Sequence, residues 1–131
     1  MKPILIIISM LCLLLLTGCG AREQDEAYHF VSVSAEEAKE IMDTQWEYVI
    51  LDVRTQEEYD EGHIEGAILI PDYEIGERAE DELPDRDRLI LVYCRSGRRS
   101  KLAAEELVSM GYTNVVEFGG IIDWPYQTEN N

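Results

Sequence analysis

Apolar residues fall in short runs, and the polar segments between them open on helix-capping residues. Phe30-Val31-Ser32-Val33 predicts a short strand. Ser34, with Glu37 three residues on, forms a capping box and predicts a helix to about Met42. The run Tyr48 to Val53, interrupted only by Asp52, predicts a strand buried on both faces. Thr55 and Glu58 form a second capping box, opening a short helix that stops near Gly62. Ala67 to Ile70 predicts another strand, ended by Pro71, and the acidic stretch beyond it predicts a loose helix around 73–82, broken by Pro84. Leu89 to Tyr93 is the clearest buried strand. Leu102, Ala103, Leu107 and Met110 give Ser100 to Met110 the spacing of an amphipathic helix, with Gly111 as its C-cap. Val115 to Phe118 closes the series of strands, and Ile121 to Tyr126 predicts a short turn or helix. Strands alternating with helices predict an α/β domain on a mainly parallel sheet.

The first residues break this rhythm. Met1-Lys2-Pro3 is a short basic start, and Ile4 to Leu16 is an unbroken apolar run. At about 1.5 Å per residue such a run reaches roughly 20 Å, short of a hydrocarbon core of about 30 Å. Its proportions are those of a signal-peptide apolar region. Leu16-Thr17-Gly18-Cys19 follows at once and resembles the lipobox of bacterial lipoprotein precursors. The resemblance implies cleavage before Cys19, a lipid on its sulfur, and a protein held at the extracytoplasmic face of a bacterial cell membrane. The expected organisation is a signal peptide over 1–18, a lipidated polar tether over 19–28, and one folded domain over 29–129.

Composition narrows the function. Of 131 residues, 27 are acidic and 11 are Lys or Arg, for a net charge of −16. That excludes a nucleic-acid binder, which needs a basic face to neutralise phosphates, and a polybasic membrane patch. Three cysteines cannot build a disulfide framework. With Cys12 removed in the signal and Cys19 capped, Cys94 remains as the free thiol.

In a parallel α/β sheet, ligands bind beyond the carboxyl ends of the strands. Cys94-Arg95-Ser96-Gly97-Arg98-Arg99 falls there, between the strand 89–93 and the helix from Ser100. Arg95, Arg98, Arg99 and Lys101 gather a large share of an acidic protein's basic residues around one thiol. Loop amides turned inward, the helix N-terminus and the arginines all favour a thiolate at Cys94. The same donors suit an anionic substrate, so the segment predicts a nucleophile inside an anion cradle.

Four motifs together resemble the rhodanese family of single-domain thiosulfate sulfurtransferases: Leu51-Asp52-Val53-Arg54, Gly62-His63-Ile64-Glu65-Gly66-Ala67, Tyr93 to Ser100, and Gly119-Gly120 followed by Trp124. The resemblance runs from about Phe30 to Tyr126. It implies a rhodanese-like α/β fold: a five-stranded, mainly parallel sheet with helices on both faces. It implies Cys94 as the catalytic sulfur carrier, with Arg95, Ser96, Gly97, Arg98 and Arg99 binding the substrate. The implied reaction is a double displacement through a Cys94 persulfide, from an anionic donor such as thiosulfate to a thiol or cyanide acceptor, with no cofactor or metal. Among the arginines, Arg99 and then Arg98 are expected to matter most for anionic donors.

Two other readings stand beside this one. The domain could be a non-catalytic sulfur-carrier or redox-sensing module. A cysteine phosphatase or arsenate reductase fits less well: its loop places an arginine after five intervening residues, and here that position is Ser100. Asp52 and Arg54 are expected to form an ion pair or support the loop, as are Ser100 and Trp124, the last packing beneath it. His63 is expected to make a structural hydrogen bond, and His29 suggests no partner by spacing.

Overall fold

The computed structural model describes residues 29–130. The expected signal peptide, Cys19 and the expected tether lie outside the described residues. Strands β1 (Val31–Ser32), β2 (Tyr48–Asp52), β4 (Ile68–Leu69), β5 (Leu89–Cys94) and β6 (Val115–Gly120) form one five-stranded sheet in the order β1-β6-β5-β2-β4. Every pairing in it is parallel. Helices α1 (Ala35–Thr44), α2 (Gln56–Glu61), α3 (Ile75–Glu82) and α4 (Arg98–Ser109) connect the strands. The expected fold class, α/β with a five-stranded parallel sheet, is the fold observed.

Side chains alternate across the central strand β5 and sort the core into two clusters. Ile90, Val92 and Cys94 pack with Ala79 of α3 and Ala103, Ala104 and Leu107 of α4. Leu91 and Tyr93 face the other way, with Ala38 of α1, Ile64 and Phe118. Both expected capping boxes are formed: the Ser34 hydroxyl accepts from the Glu37 amide at 3.1 Å, and Thr55 accepts from the Glu58 amide at 3.2 Å. Gly111, in the left-handed region at φ 95°, follows α4, and the Tyr112 amide returns to Leu107 O at 3.1 Å.

The structure departs from expectation in three places. The acidic segment is well ordered: a 3₁₀ turn (Asp72–Glu74) leads into α3, where Arg78 pairs with Glu74 and Glu82 one turn away on either side. Helix α4 begins at Arg98 rather than Ser100, so the two arginines lie in its first turn. Third, β3 (His63–Ile64) pairs antiparallel with β7 (Thr128–Glu129), a second sheet formed by residues far apart in sequence.

The topology also fixes where a site can form. From β2 the chain moves outward to β4, while from β5 it moves the opposite way to β6. Adjacent strands whose connections diverge leave a crevice beyond their carboxyl ends. The ends at this crevice are Asp52 and Cys94.

Candidate active site

Cys94 ends β5 with its side chain on the α4 side of the sheet. Its Sγ accepts the Gly97 amide at 3.0 Å and lies 3.4 Å from the Ser100 hydroxyl. The Gly97 contact requires the chain to double back within three residues. Gly97 makes that turn at φ 108°, in the left-handed region that side chains disfavour. Arg95 and Ser96 are exposed over this turn, whereas Cys94 is only 1% exposed. The thiol therefore lies just under its loop.

The four basic residues divide into two kinds. Arg99 is clamped by Glu58 of α2 through two hydrogen bonds, at 2.7 and 2.9 Å. Among the described residues, no carboxylate pairs with Arg95, Arg98 or Lys101. The first turn of α4 thus adds cationic side chains to the positive end of its own dipole, an arrangement that costs stability unless an anion sits nearby. Arg95 also lines a cleft of about 290 Å³ with Arg54, Glu58, Glu61, Ile121 and Ile122.

Glu58 caps α2 and also holds α4. Its hydrogen bonds from Arg99 bring its carboxyl down to about 2. A depressed folded pKa means the pair's stabilisation is complete above the unfolded value of 4.5 and is lost as pH falls through about 2. A double-mutant cycle with Glu58→Gln and Arg99→Met, read by urea unfolding, is expected to give a coupling of about 0.2–1 kcal/mol that is level from pH 7 to 5 and fades only below about pH 4.5. Fading already at pH 6 would contradict the assigned clamp.

Asp52 and Arg54 form a buried ion pair, with the Arg54 Nη2 donating to Asp52 Oδ2 at 2.7 Å. Arg54 also donates to Gly62 O at 2.7 Å, tying the end of α2 to the end of β2. The Tyr93 hydroxyl donates to Asp52 at 2.6 Å and accepts the Ile64 amide at 3.1 Å. Burial and then the Asp52 charge push this hydroxyl well above the usual tyrosine range, which keeps it a donor. His63 stacks on Tyr59 with ring centroids 3.7 Å apart, and its Nδ1 lies 2.9 Å from Tyr59 O. Trp124 packs against Phe118 and Tyr126 and belongs to the core cluster on the α1 side of the sheet. His29 lies exposed at the start of the described residues.

Ser100 is fully buried and connects the thiol to a residue the sequence analysis did not single out. Its hydroxyl donates to Glu117 Oε1 at 2.6 Å, its shortest contact. Glu117 in β6 is 1% exposed and also accepts from the Gly119 amide at 2.7 Å and the Ser32 hydroxyl at 3.0 Å. The available signal was a lone carboxylate inside the run Val115-Val116-Glu117-Phe118, directly before Gly119-Gly120.

Comparison with known proteins agrees with this geometry. The description "Rhodanese-like domain" matches residues 34–125. The chain belongs to the rhodanese-like family. It is 45% identical over 73 residues to the thiosulfate sulfurtransferase PspE of Escherichia coli, covering 56% of this chain and 70% of that protein. To the putative sulfur carrier protein YrkF of Bacillus subtilis it is 36% identical over 111 residues, covering 84% of this chain and 59% of that one. A solved structure described as a rhodanese with anions from E. coli superposes with a TM-score of 0.61 at 39% identity, covering 64% of this chain and 99% of that one. A rhodanese-related protein from Thermoplasma volcanium gives 0.66 at 32% identity, covering 77% and 99%. This rhodanese-like chain therefore carries a sulfurtransferase-family fold, with its only cysteine among the described residues at the sheet's crevice.

Proposed function

We propose that the protein is a sulfurtransferase that moves a sulfane sulfur through a Cys94 persulfide. The observation that carries the reading is the Gly97 amide donating to Cys94 Sγ inside a loop whose Arg95 and Arg98 have no carboxylate partner among the described residues. A thiolate at Cys94 attacks the outer sulfur of thiosulfate or a similar anionic donor. The new S–S bond forms on Cys94, the donor's S–S bond breaks, and its electron pair leaves with sulfite. A thiol, or cyanide in an assay, then takes the outer sulfur and returns the thiolate. Arg95 and Arg98, with the amides at the start of α4, attract the donor and offset the charge on the persulfide. Arg99, whose guanidinium also feels the Cys94 charge, braces α4 on α2 through Glu58 beside its expected part in donor binding.

The clearest test is turnover with thiosulfate and cyanide on residues 20–131. Thiocyanate is expected from the native sequence, with loss to background in Cys94→Ser. Equal rates in both would overturn the proposal. The likeness to the putative sulfur carrier protein YrkF supports a second reading, a sulfur carrier or redox sensor without useful turnover. That reading predicts sulfur loading without thiocyanate. Phosphatase or arsenate-reductase chemistry gains no support from the loop: where it would need an arginine, Ser100 is buried and bonded to Glu117.

The proposal extends to location. A lipid on Cys19 would hold the domain at the extracytoplasmic face of a bacterial membrane, within reach of small anionic donors there. In the full chain, Cys19→Ala is expected to move the protein from the membrane fraction to the soluble one; retention in the membrane would rule the anchor out.

A further inference from the structure

The described mechanism leaves one buried carboxylate unused. Glu117 is 1% exposed, has no basic partner among the described residues, and is satisfied by two hydroxyls and one amide. The Gly119 amide must donate to it and both hydroxyls point their protons at it, an arrangement that suits a carboxylate. One hydroxyl, that of Ser100, separates it from the nucleophilic sulfur.

That hydroxyl has a single proton. The contact to Glu117 at 2.6 Å is the shortest of its options, ahead of Gly97 O at 3.0 Å and Gly119 O at 3.3 Å. With its proton there, Ser100 turns oxygen lone pairs toward Cys94. A thiol suits this, because S–H donates to Ser100 Oγ. A thiolate does not: it keeps the Gly97 amide but faces an acceptor, with a fixed negative charge behind it. Once sulfur has been taken up, Cys94 Sγ is a neutral, disulfide-type atom that needs no donor on that side. The charge then sits on the outer sulfur, about 2 Å further along the new bond. Ser100 Oγ already stands 3.4 Å from Sγ with Glu117 behind it, so the inference places the outer sulfur away from them.

We infer that Glu117, acting through Ser100, is a positioning residue that biases Cys94 toward the sulfur-loaded state by disfavouring negative charge on Sγ relative to the outer sulfur. The inference rests on the persulfide reading and deepens it. Glu117 touches neither donor nor acceptor; it shifts the balance between thiolate plus thiosulfate and persulfide plus sulfite.

The experiment loads the domain with thiosulfate and titrates it with sulfite at a pH where iodoacetamide alkylation of sulfur-free Cys94 has reached its alkaline plateau, so that the thiolate is the starting state and no proton enters the balance, and it follows the persulfide fraction by intact mass. Glu117→Gln keeps the shape and removes the charge. Moving a unit charge about 2 Å away from a carboxylate, at an effective dielectric near 20, shifts such a balance roughly threefold. The sulfite-to-thiosulfate ratio that strips half the sulfur is therefore expected to fall about threefold in Glu117→Gln. Glu117→Asp keeps the charge but withdraws it by one methylene, so it is expected to fall in the same direction by less. A folded Gln variant with the native ratio overturns the inference. If Gln does not fold, an Asp variant with an unchanged ratio does so instead. Failure of the native domain to load any sulfur refutes the persulfide reading itself, and so separates the two failures.

Discussion

Replacing Asp52 with alanine is expected to destabilise the domain by about 3–5 kcal/mol, the largest stability loss of any single polar substitution at the site. Asp52 is fully buried and accepts from the Arg54 amide at 2.9 Å, from the Arg54 guanidinium and from the Tyr93 hydroxyl. Alanine would leave a guanidinium that is only 5% exposed without its counter-charge and a buried phenol without its acceptor. Both would lose that partner while still largely shielded from solvent, or the ends of β2 and β5 would have to separate. Tyr93→Phe removes a smaller part, leaving the Ile64 amide and one Asp52 oxygen short of a partner, at about 1–3 kcal/mol. Thermal unfolding checks the order. At roughly 4–8 °C per kcal/mol for a domain of this size, Asp52→Ala should lose well over 10 °C and Tyr93→Phe less. Equal, small losses would mean that the buried pair carries little of the fold.

Gly120→Ala is expected to have the opposite profile, with a small effect on the fold and a large one on sulfur transfer. A Cβ at Gly120 would stand 2.0 Å from Arg95 O and 2.6 Å from Ser96 Cα. Those are backbone atoms of the Cys94 loop, so no side-chain rotation relieves the overlap and the loop must move. The loop's Gly97 amide is the donor on Sγ, and displacing a reacting group by about 1 Å can cost about 100-fold in rate. A fall of at least that order in thiocyanate formation is expected, with the circular dichroism spectrum retained, since Cys94 is the only loop residue in either core cluster. Native activity in Gly120→Ala would show that the packing of β6 against the loop is unimportant.

Much of the fold was legible because its signals are local. The capping pairs Ser34/Glu37 and Thr55/Glu58 satisfy amides within their own turn, and the apolar runs at Tyr48 and Leu89 need no partner to be recognised as buried. Features that depend on distant partners were hidden. Two-residue strands such as β3 and β7 carry no periodicity, and their pairing joins His63 to Glu129. Helix α4 starts two residues before the predicted Ser100 because local signals count Arg98 and Arg99 against a helix start, where they oppose the dipole; the bridge from Glu58, 41 residues away, steadies Arg99 there. Likewise, the local mark on Glu117 is only its place inside an apolar run; the donors that satisfy it, Ser32 and Ser100, lie in β1 and α4, far away in sequence.

The site showed the same division. The cationic loop around Cys94 is contiguous in sequence and could be read directly, as could the Asp52/Arg54 pair at a strand end. How the cations are shared out could not. Glu58 takes Arg99 out of the free set, and the cleft beside the loop is defined by Arg95 with residues from α2 and the turn after β6.

The most direct measurement is the intact mass of the soluble domain after incubation with thiosulfate and removal of excess reagent. The expected result is the addition of a single sulfur atom, reversed by cyanide or sulfite and absent in Cys94→Ser. A native domain that keeps its unmodified mass with thiosulfate and with every other sulfane donor tried, while remaining folded, would contradict the assignment of Cys94 as a sulfur carrier.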